Sequence, residues 1–232
     1  MPSDLPRQVD QTLARLRADS TALAQSLLDV ENDPTYTLLN PAELAGATAA
    51  RARLVRDRVA SLWERYLPAS ELLRRAVTLR GDRARLGGVK AQELARLLHV
   101  PTTCSTPAGP DPAVLLEGTT ELVAEVRADL DAIASAWTAH LTPLTAAERQ
   151  LTALAATLDR IGLAGVPEMT AAGAAMDRAS AAVASDPLSV TATDLAAVAD
   201  AVRVAAETIS SYSRAHDSLD DDLAAAGGVL AA

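Results

Sequence analysis

Phenylalanine is absent from this 232-residue chain, and the only aromatic side chains belong to two tryptophans and three tyrosines. The apolar fraction is nevertheless 49%, an ordinary value for a folded protein, and much of it is alanine and leucine. Alanine and leucine are the strongest helix formers, whereas aromatic and β-branched residues favour strands. The composition therefore argues against a β-rich fold and favours a helical one.

Cysteine is nearly absent too, since Cys104 is the only one, which excludes an internal disulfide and a zinc site built from several cysteines. The three histidines (His99, His140 and His216) do not stand in a ligand pattern such as H-E-x-x-H. Glycine-rich phosphate loops and nucleophile elbows are also missing from the sequence. We therefore expect no cofactor, no metal and no enzymatic activity.

Long apolar runs are missing as well, so the sequence predicts no membrane span. The first residues lack the basic and apolar regions of a signal peptide. A single cysteine is compatible with a reducing compartment. Together these features predict a cytoplasmic protein.

Apolar residues spaced alternately by three and four positions form two long heptad seams. The first runs from Val9 to Val30, in a helix predicted from about Asp4 to Asn32, with Ser20 as its polar position. The second runs from Leu195 to Leu223, in a helix predicted from about Thr191 to Ala225. Because no useful stretch alternates with the period of a strand, the sequence predicts an all-α fold. Its expected form is an elongated antiparallel bundle of coiled-coil-like long helices.

Prolines mark the expected ends of a second long helix. It is predicted to begin at Pro41, with Asn40 as its N-cap, and to end at Pro68. Ser70 would then cap a shorter helix. The short connection between the first and second long helices predicts an antiparallel hairpin.

Pro143 leaves two alternatives for the second half of the chain. The sequence from Thr145 to Glu148 resembles a capping box, which would start a new helix there. The apolar stripe continues in phase across Pro143, however, and this favours one long kinked helix.

Composition predicts three parts along the chain. Residues 1–100 would form the N-terminal helical hairpin and short helices, and residues 113–232 a C-terminal bundle of long helices. Residues 101–112, which are rich in Pro, Gly, Ser and Thr, are the predicted linker between them.

Four short sequences carry a family resemblance: D-V-E-N-D-P at 29–34, L-A-G-A-T-A-A-R at 44–51, W-E-R-Y at 63–66 and L-L-R-R-A at 72–76. Together they resemble uncharacterised Ala/Arg-rich helical proteins of high-GC bacteria, over most of the chain but without a diagnostic motif. The resemblance implies an accessory or adaptor role beside Ser/Thr kinase and phosphatase signalling. It assigns no site residue.

Charge is distributed unevenly along the chain. Residues 51–96 hold 12 basic and 5 acidic side chains, whereas residues 97–232 hold 6 basic and 18 acidic ones. Three of the arginines, Arg51, Arg58 and Arg65, recur every seven residues, where interhelical ion pairs lie in a coiled coil. The candidate partner-binding basic face consists of Arg51, Arg53, Arg56, Arg58, Arg65, Arg74, Arg75, Arg80, Arg83 and Arg85.

Three interpretations of this basic face stay open. It pairs with the acidic helices of the chain itself or of a second copy in a homo-oligomer, it docks an acidic protein partner, or it binds nucleic acid or an anionic membrane surface. The net charge of −9 and the lack of aromatic residues between the arginines argue against nucleic acid as a partner. We expect a non-enzymatic helical scaffold or adaptor that binds an unidentified protein partner. Anion binding through residues 51–96 is the alternative.

Overall fold

The computed structural model describes residues 4–81, 86–102, 107 and 109–230. The regular elements in these residues are eight helices and no strand. They are α1 (Leu5–Glu31), α2 (Pro34–Leu38), α3 (Gly46–Arg80), α4 (Gly88–Leu97), α5 (Pro112–Leu116), α6 (Thr119–Arg160), α7 (Pro167–Ser185) and α8 (Ala192–Leu230). The all-α prediction is confirmed, and the finer prediction of a bundle of coiled-coil-like helices stays a prediction. None of these helices combines the length and apolarity that crossing a membrane requires.

The chain divides into two compact units whose boundaries fall inside helices. Unit 1 comprises residues 1–40 and 51–131, and unit 2 comprises residues 41–50 and 132–232. Helices α3 and α6 therefore each contribute to both units. The division predicted from composition stays a prediction, and part of its linker, residues 103–106 and 108, lies outside the described residues.

The first heptad seam supplies the buried face of α1 in unit 1. Asp10 near the start of α1 pairs with Arg80 at the end of α3, with Nε 2.6 Å from Oδ1. Glu31 at the other end of α1 accepts a hydrogen bond of 2.8 Å from Nε1 of Trp63. These two contacts show that α1 and α3 run in opposite directions along each other. All seven seam positions of α1 are buried: Val9, Leu13, Leu16, Ser20, Leu23, Leu27 and Val30.

Helix α3 begins and ends later than the sequence predicts. It runs from Gly46 through Pro68 to Arg80, so the predicted start at Pro41 and the predicted new helix at Ser70 are both wrong. A proline in a helix interior costs about 3 kcal/mol. The apolar stripe continues beyond the proline in phase with the part before it, and the burial of this stripe outweighs that cost. Its buried members after the proline are Ala69, Leu72, Leu73 and Ala76.

The start of α3 is capped by a residue that is distant in the sequence. Oδ2 of Asp186, just after α7, accepts from the N–H of Ala47 at 3.2 Å, and Oδ1 accepts from the N–H of Thr48 at 2.9 Å. The hydroxyl of Thr48 donates to the same carboxylate at 2.7 Å and accepts from the N–H of Leu188 at 3.2 Å. An N-cap side chain normally satisfies such free amides. This cluster, which we call the Asp186 cap, takes the role that the sequence predicts for Asn40.

Acid is expected to weaken the Asp186 cap. Burial alone would raise the pKa of Asp186, but hydrogen bonds from Ser189, Thr48 and Ala47 together lower this pKa below its usual value. A carboxylate with a lowered folded-state pKa stabilises the fold fully above its unfolded pKa of about 3.9, and this stability is lost as the pH falls through the folded-state pKa. We expect Asp186→Ala to destabilise unit 2 by about 1–2 kcal/mol at neutral pH. The difference from the wild type should shrink as the pH falls below about 4.

Urea unfolding of both proteins across this pH range measures the effect. In a Trp63→Phe background the fluorescence comes from Trp137, whose Nε1 donates to the carbonyl of Val183 at 3.0 Å within unit 2. Asp177→Ala, at an exposed position of α7, is the matched control and should leave the free energy of unfolding within about 0.5 kcal/mol of the wild type. A difference between Asp186→Ala and wild type that stays constant with pH would contradict an ionised cap.

The core of unit 2 is formed by the second part of α6 together with α7 and α8. Helix α6 continues through Pro143 to Arg160. The prediction of one long helix is therefore confirmed, and the alternative of a new helix that starts at Thr145 is wrong. One core cluster contains Leu144, Ala147, Ala172, Ala179, Val183, Val198, Val202 and Ala205. A second cluster contains Leu158, Ile161, Val166 and Ile209. Alanine is frequent in the first cluster, and its small side chain allows close approach of the three helix backbones.

Candidate partner-binding surfaces

Most described arginines of the predicted basic face bond to other groups of the chain. Arg83 and Arg85 lie outside the described residues. Of the eight others, two, Arg53 and Arg75, are exposed without a hydrogen bond or ion pair to a described residue. The remaining six form a hydrogen bond or an ion pair with a carboxylate or a backbone carbonyl: Arg51, Arg56, Arg58, Arg65, Arg74 and Arg80.

Two of the heptad-spaced arginines form an ion-pair network with α6. Nη1 of Arg58 donates to Oδ2 of Asp129 at 2.7 Å, and Nη2 forms an ion pair with Glu125, 2.8 Å from its Oε2. Arg51, two turns earlier on α3, lies 3.3 Å from Oδ1 of Asp129. The side chains of Arg58 and Asp129 are only 24% and 17% exposed, so water screens this pair less than an open surface pair. The seven-residue spacing therefore leads to interhelical pairing inside unit 1.

Backbone carbonyls hold two further arginines. Nε of Arg56 donates to the carbonyl of Leu39 at 2.6 Å, and its guanidinium carbon lies 5.3 Å from the ring centre of Tyr36. That geometry permits a cation–π interaction, which ties the loop after α2 to α3. Arg65 donates to the carbonyl of Glu117 at 3.2 Å. Both side chains thus fix loops of unit 1.

The end of α3 carries a local pair on its exposed side. Arg74 donates to both carboxylate oxygens of Glu71, at 2.9 and 2.8 Å. The hydrogen bond from Arg74 lowers the pKa of Glu71, and the nearby charge of Arg75 adds to this effect. The same bond raises the pKa of Arg74. An anionic ligand at this position would have to compete with Glu71.

Grooves between helices border α1 in unit 1. One of about 320 Å³ lies between α1 and α3, and another of about 510 Å³ lies between α1 and the start of α6. The first is lined by Arg17, Ser20, Thr21, Ser70, Leu73, Arg74, Val77 and Thr78. Neither groove brings a histidine or cysteine of the described residues next to a hydroxyl group, so neither has the arrangement of a nucleophile with its base.

His99 ends α4 in a conformation that glycine usually adopts. Its φ is +53°, and the N–H of Val100 donates back to the carbonyl of Ala95 at 2.9 Å. This is the backbone pattern of a Schellman C-cap. The imidazole Nε2 lies 3.1 Å from the carbonyl oxygen of Gly109. His99 therefore forms the C-terminal cap of α4.

The other candidate ligands do not assemble into a metal site. Nε2 of His140 lies 3.1 Å from the carbonyl oxygen of Pro187, which places this ring at the loop after α7. Cys104 lies outside the described residues. In the part of the chain that the structure describes, no group of three His, Cys, Asp or Glu side chains could hold a metal ion.

The second heptad seam, by contrast, is buried over only part of its length. Its first half packs in unit 2, where Val198, Val202, Ala205 and Ile209 are at most 3% exposed. Its second half is open, since Tyr212, Leu219 and Leu223 are 43%, 63% and 69% exposed. Helix α8 itself continues to Leu230. We call Tyr212, Leu219 and Leu223 the exposed seam of α8.

Acidic side chains flank the exposed seam. All four aspartates of this stretch are exposed: Asp217, Asp220, Asp221 and Asp222. In the heptad that places Leu219 at d and Leu223 at a, Asp220 occupies e and Asp222 occupies g. His216 occupies the intervening a position, and its Nδ1 lies 3.4 Å from Oδ2 of Asp220. The exposed seam is thus an apolar stripe with a carboxylate on each side.

No protein-family model, no curated protein and no solved structure matches this chain. The proposed function therefore rests on the exposed seam of α8 and the aspartates beside it. It also rests on the arginines of the basic face that already bond to other groups of the chain.

Proposed function

We propose that this protein is a non-enzymatic helical scaffold or adaptor that binds a protein partner through the exposed seam of α8. The observation that carries the proposal is the continuation of one heptad seam from a packed core onto an uncovered helix surface. Single exposed leucines are common on protein surfaces, but apolar residues that recur in register mark an interaction surface. A partner helix that packs on Tyr212, Leu219 and Leu223 would complete the seam.

The free energy of helix formation also favours a partner on the exposed seam of α8. Beyond Ser213, which accepts a 3.0 Å hydrogen bond from Arg160, no hydrogen bond or ion pair joins the described side chains of α8 to another helix. The remaining length, residues 214–230, extends about 25 Å at 1.5 Å per residue. This length lies only slightly above the ~12–15 residues below which isolated helices are marginally stable in water. Full burial of each leucine against a partner would contribute about 1.5–3 kcal/mol, so a partner would stabilise the helix that binds it.

The alternative of anion binding through residues 51–96 has less support. Six of the eight described arginines of the basic face already bond to carboxylates or carbonyls of the chain. An anion would have to replace these bonds, including the partly buried pair between Arg58 and Asp129. The resemblance to Ala/Arg-rich helical proteins places the proposed role in a bacterial signalling system. That setting rests on the resemblance alone, and no residue of this chain supports it.

Leu219→Ala with Leu223→Ala is the variant that tests the proposed function. The double substitution removes most of the exposed seam while keeping strong helix formers and the net charge. Wild type and variant are immobilised, exposed to extract from the cell that makes the protein, and the retained proteins are quantified by mass spectrometry. We expect at least one protein to be retained at least about tenfold less by the variant, as the loss of two interface leucines predicts.

Val89→Ala with Val114→Ala is the matched control, because both valines are more than half exposed and lie in unit 1. This control should retain the same partner as the wild type. Circular dichroism should show the same helix content in all three proteins. Equal retention of every protein by wild type and by the seam variant would refute the proposed function.

A further inference from the structure

The acidic flanks of the exposed seam indicate which kind of partner covers it. We infer that the exposed seam of α8 binds a basic amphipathic helix of a different protein, with Lys or Arg on both sides of its apolar stripe. This inference rests on the proposed function and adds the chemistry of the partner. It follows from charge complementarity on α8 and from the state of the chain's own arginines.

Charge complementarity starts from the heptad positions of the aspartates. Side chains at e and g lie beside the apolar seam and face the corresponding positions of the partner helix. Asp220 and Asp222 occupy these positions on either side of the seam between Leu219 and Leu223. Within residues 212–223 the one lysine or arginine is Arg214, which donates to the carbonyl of Ser210 on its own helix. A partner with basic flanks would therefore form attractive pairs on both sides.

Exposed ion pairs of this kind contribute little affinity individually, but they discriminate between partners. Like charges at facing positions are unfavourable, whereas opposite charges raise the association rate and fix the register. Leucines at the a and d positions would supply most of the binding free energy. The aspartates would then exclude helices with acidic flanks.

A second copy of this chain fits the exposed seam poorly. In an antiparallel pair of α8 helices, e faces e and g faces g, so Asp220 would face Asp220 and Asp222 would face Asp222. In a parallel pair Asp220 would face Ala215, which provides no attraction. Neither orientation gives an opposite-charge pair at these positions.

The basic face of a second copy is not free to dock there either. Its heptad arginines are paired within unit 1, as Arg58 is with Asp129 and Glu125. The two arginines without a described bond, Arg53 and Arg75, are far apart along α3, about 33 Å at 1.5 Å per residue. They cannot both reach the short stretch from Asp217 to Asp222, which spans under about 10 Å. A different protein with closely spaced basic side chains fits better.

Two synthetic helical peptides test the inference. Both carry leucine at a and d over about four heptads, and one has lysine at e and g while the other has glutamate there. Each is labelled and titrated with the full-length protein, at low salt and at about 0.3 M salt. We expect the basic peptide to bind at least about tenfold more tightly than the acidic one at low salt. This preference should weaken as salt is added.

Charge reversal on α8 should reverse the preference. Asp220→Lys with Asp222→Lys is expected to favour the acidic peptide, while Leu219→Ala with Leu223→Ala should weaken binding of both peptides. Asp57→Lys with Asp177→Lys is the matched control, since it makes the same charge change at exposed positions outside α8. This control should still prefer the basic peptide. The charge-reversed protein should also lose the partner that wild type retains from cell extract.

The outcomes separate the inference from the proposed function. If charge reversal changes neither the peptide preference nor the retention of the cellular partner, the inference of a basic helix is refuted. The proposed function still stands in that case, as long as the leucine substitutions reduce retention of the partner. If sedimentation shows wild-type dimers that the leucine variant cannot form, the seam is occupied by a second copy and the inference is wrong. If neither a peptide nor a cellular protein depends on Leu219 and Leu223, both proposals fail.

Discussion

Replacing Leu27 with alanine is expected to destabilise unit 1 by about 2–5 kcal/mol. Leu27 is 0% exposed and lies in the seam of α1. Truncation removes the transfer free energy of the lost atoms and leaves a cavity that the surrounding helices only partly close. Because domains are stable by only about 5–15 kcal/mol, this loss is a large fraction of the total.

The adjacent residue provides the control for this prediction. Leu28 is 48% exposed, so Leu28→Ala should change the free energy of unfolding by less than about 1 kcal/mol. Urea unfolding is followed by the fluorescence of Trp63 in a Trp137→Phe background, because Trp63 bonds to Glu31 at the end of α1. Equal losses at Leu27 and Leu28 would show that the heptad seam does not define the buried face.

Replacing Gly46 with alanine is expected to destabilise unit 2 by about 2–4 kcal/mol, because two effects add. The φ of Gly46 is +50°, a conformation that costs a residue with a Cβ about 1–2 kcal/mol. A Cβ there would also collide with Oδ2 of Asp186. The carboxylate would have to move away from Ala47 and Thr48, and loss of this cap costs about 1–2 kcal/mol more.

The same substitution in α7 should have the opposite sign. A Cβ at Gly173 would meet no atom within 4 Å, so Gly173→Ala in a helix interior should stabilise unit 2 by about 0.5–1 kcal/mol. Both variants are measured by Trp137 fluorescence in the Trp63→Phe background. In a protein that already carries Asp186→Ala, Gly46→Ala should cost about half as much, since only the backbone strain remains. An unchanged cost there would contradict the close contact with Asp186.

The two internal prolines show what a sequence pattern can decide. At Pro143 the apolar stripe continues in phase, and one helix is both predicted and found. At Pro68 the proline predicts the end of the helix, but buried positions continue in phase to Ala76 and the helix continues with them. The same rule applies at both positions, because burial of several side chains outweighs the loss of one backbone hydrogen bond. Local propensity therefore predicts the wrong helix end at Pro68, whereas periodicity agrees with the structure at both prolines.

Part of the candidate surface is also visible in the sequence. The seven-residue spacing of Arg51 and Arg58 predicts interhelical ion pairs, and the structure shows them with Asp129 as partner. The spacing does not name that partner, because an acidic residue of the chain or of another protein satisfies the same pattern. For the same reason the sequence alone singles out the arginines as the binding face, whereas the structure leaves an apolar seam elsewhere uncovered.

What the sequence determined by itself is the helical class and the face that each long helix buries. Both depend on local propensity and on spacings of three and four residues, which are properties of neighbouring positions. Only the tertiary structure decided where α3 begins, since its cap, Asp186, lies 138 residues beyond Thr48 in the chain. The tertiary structure alone also decided at which residue of α8 the burial of the second heptad seam ends. The spacing of three and four from Leu195 to Leu223 is unbroken, with His216 as its polar position, but the core that could cover this seam ends near Ile209. A heptad repeat specifies which face of a helix is apolar, and the rest of the fold determines how much of that face is buried.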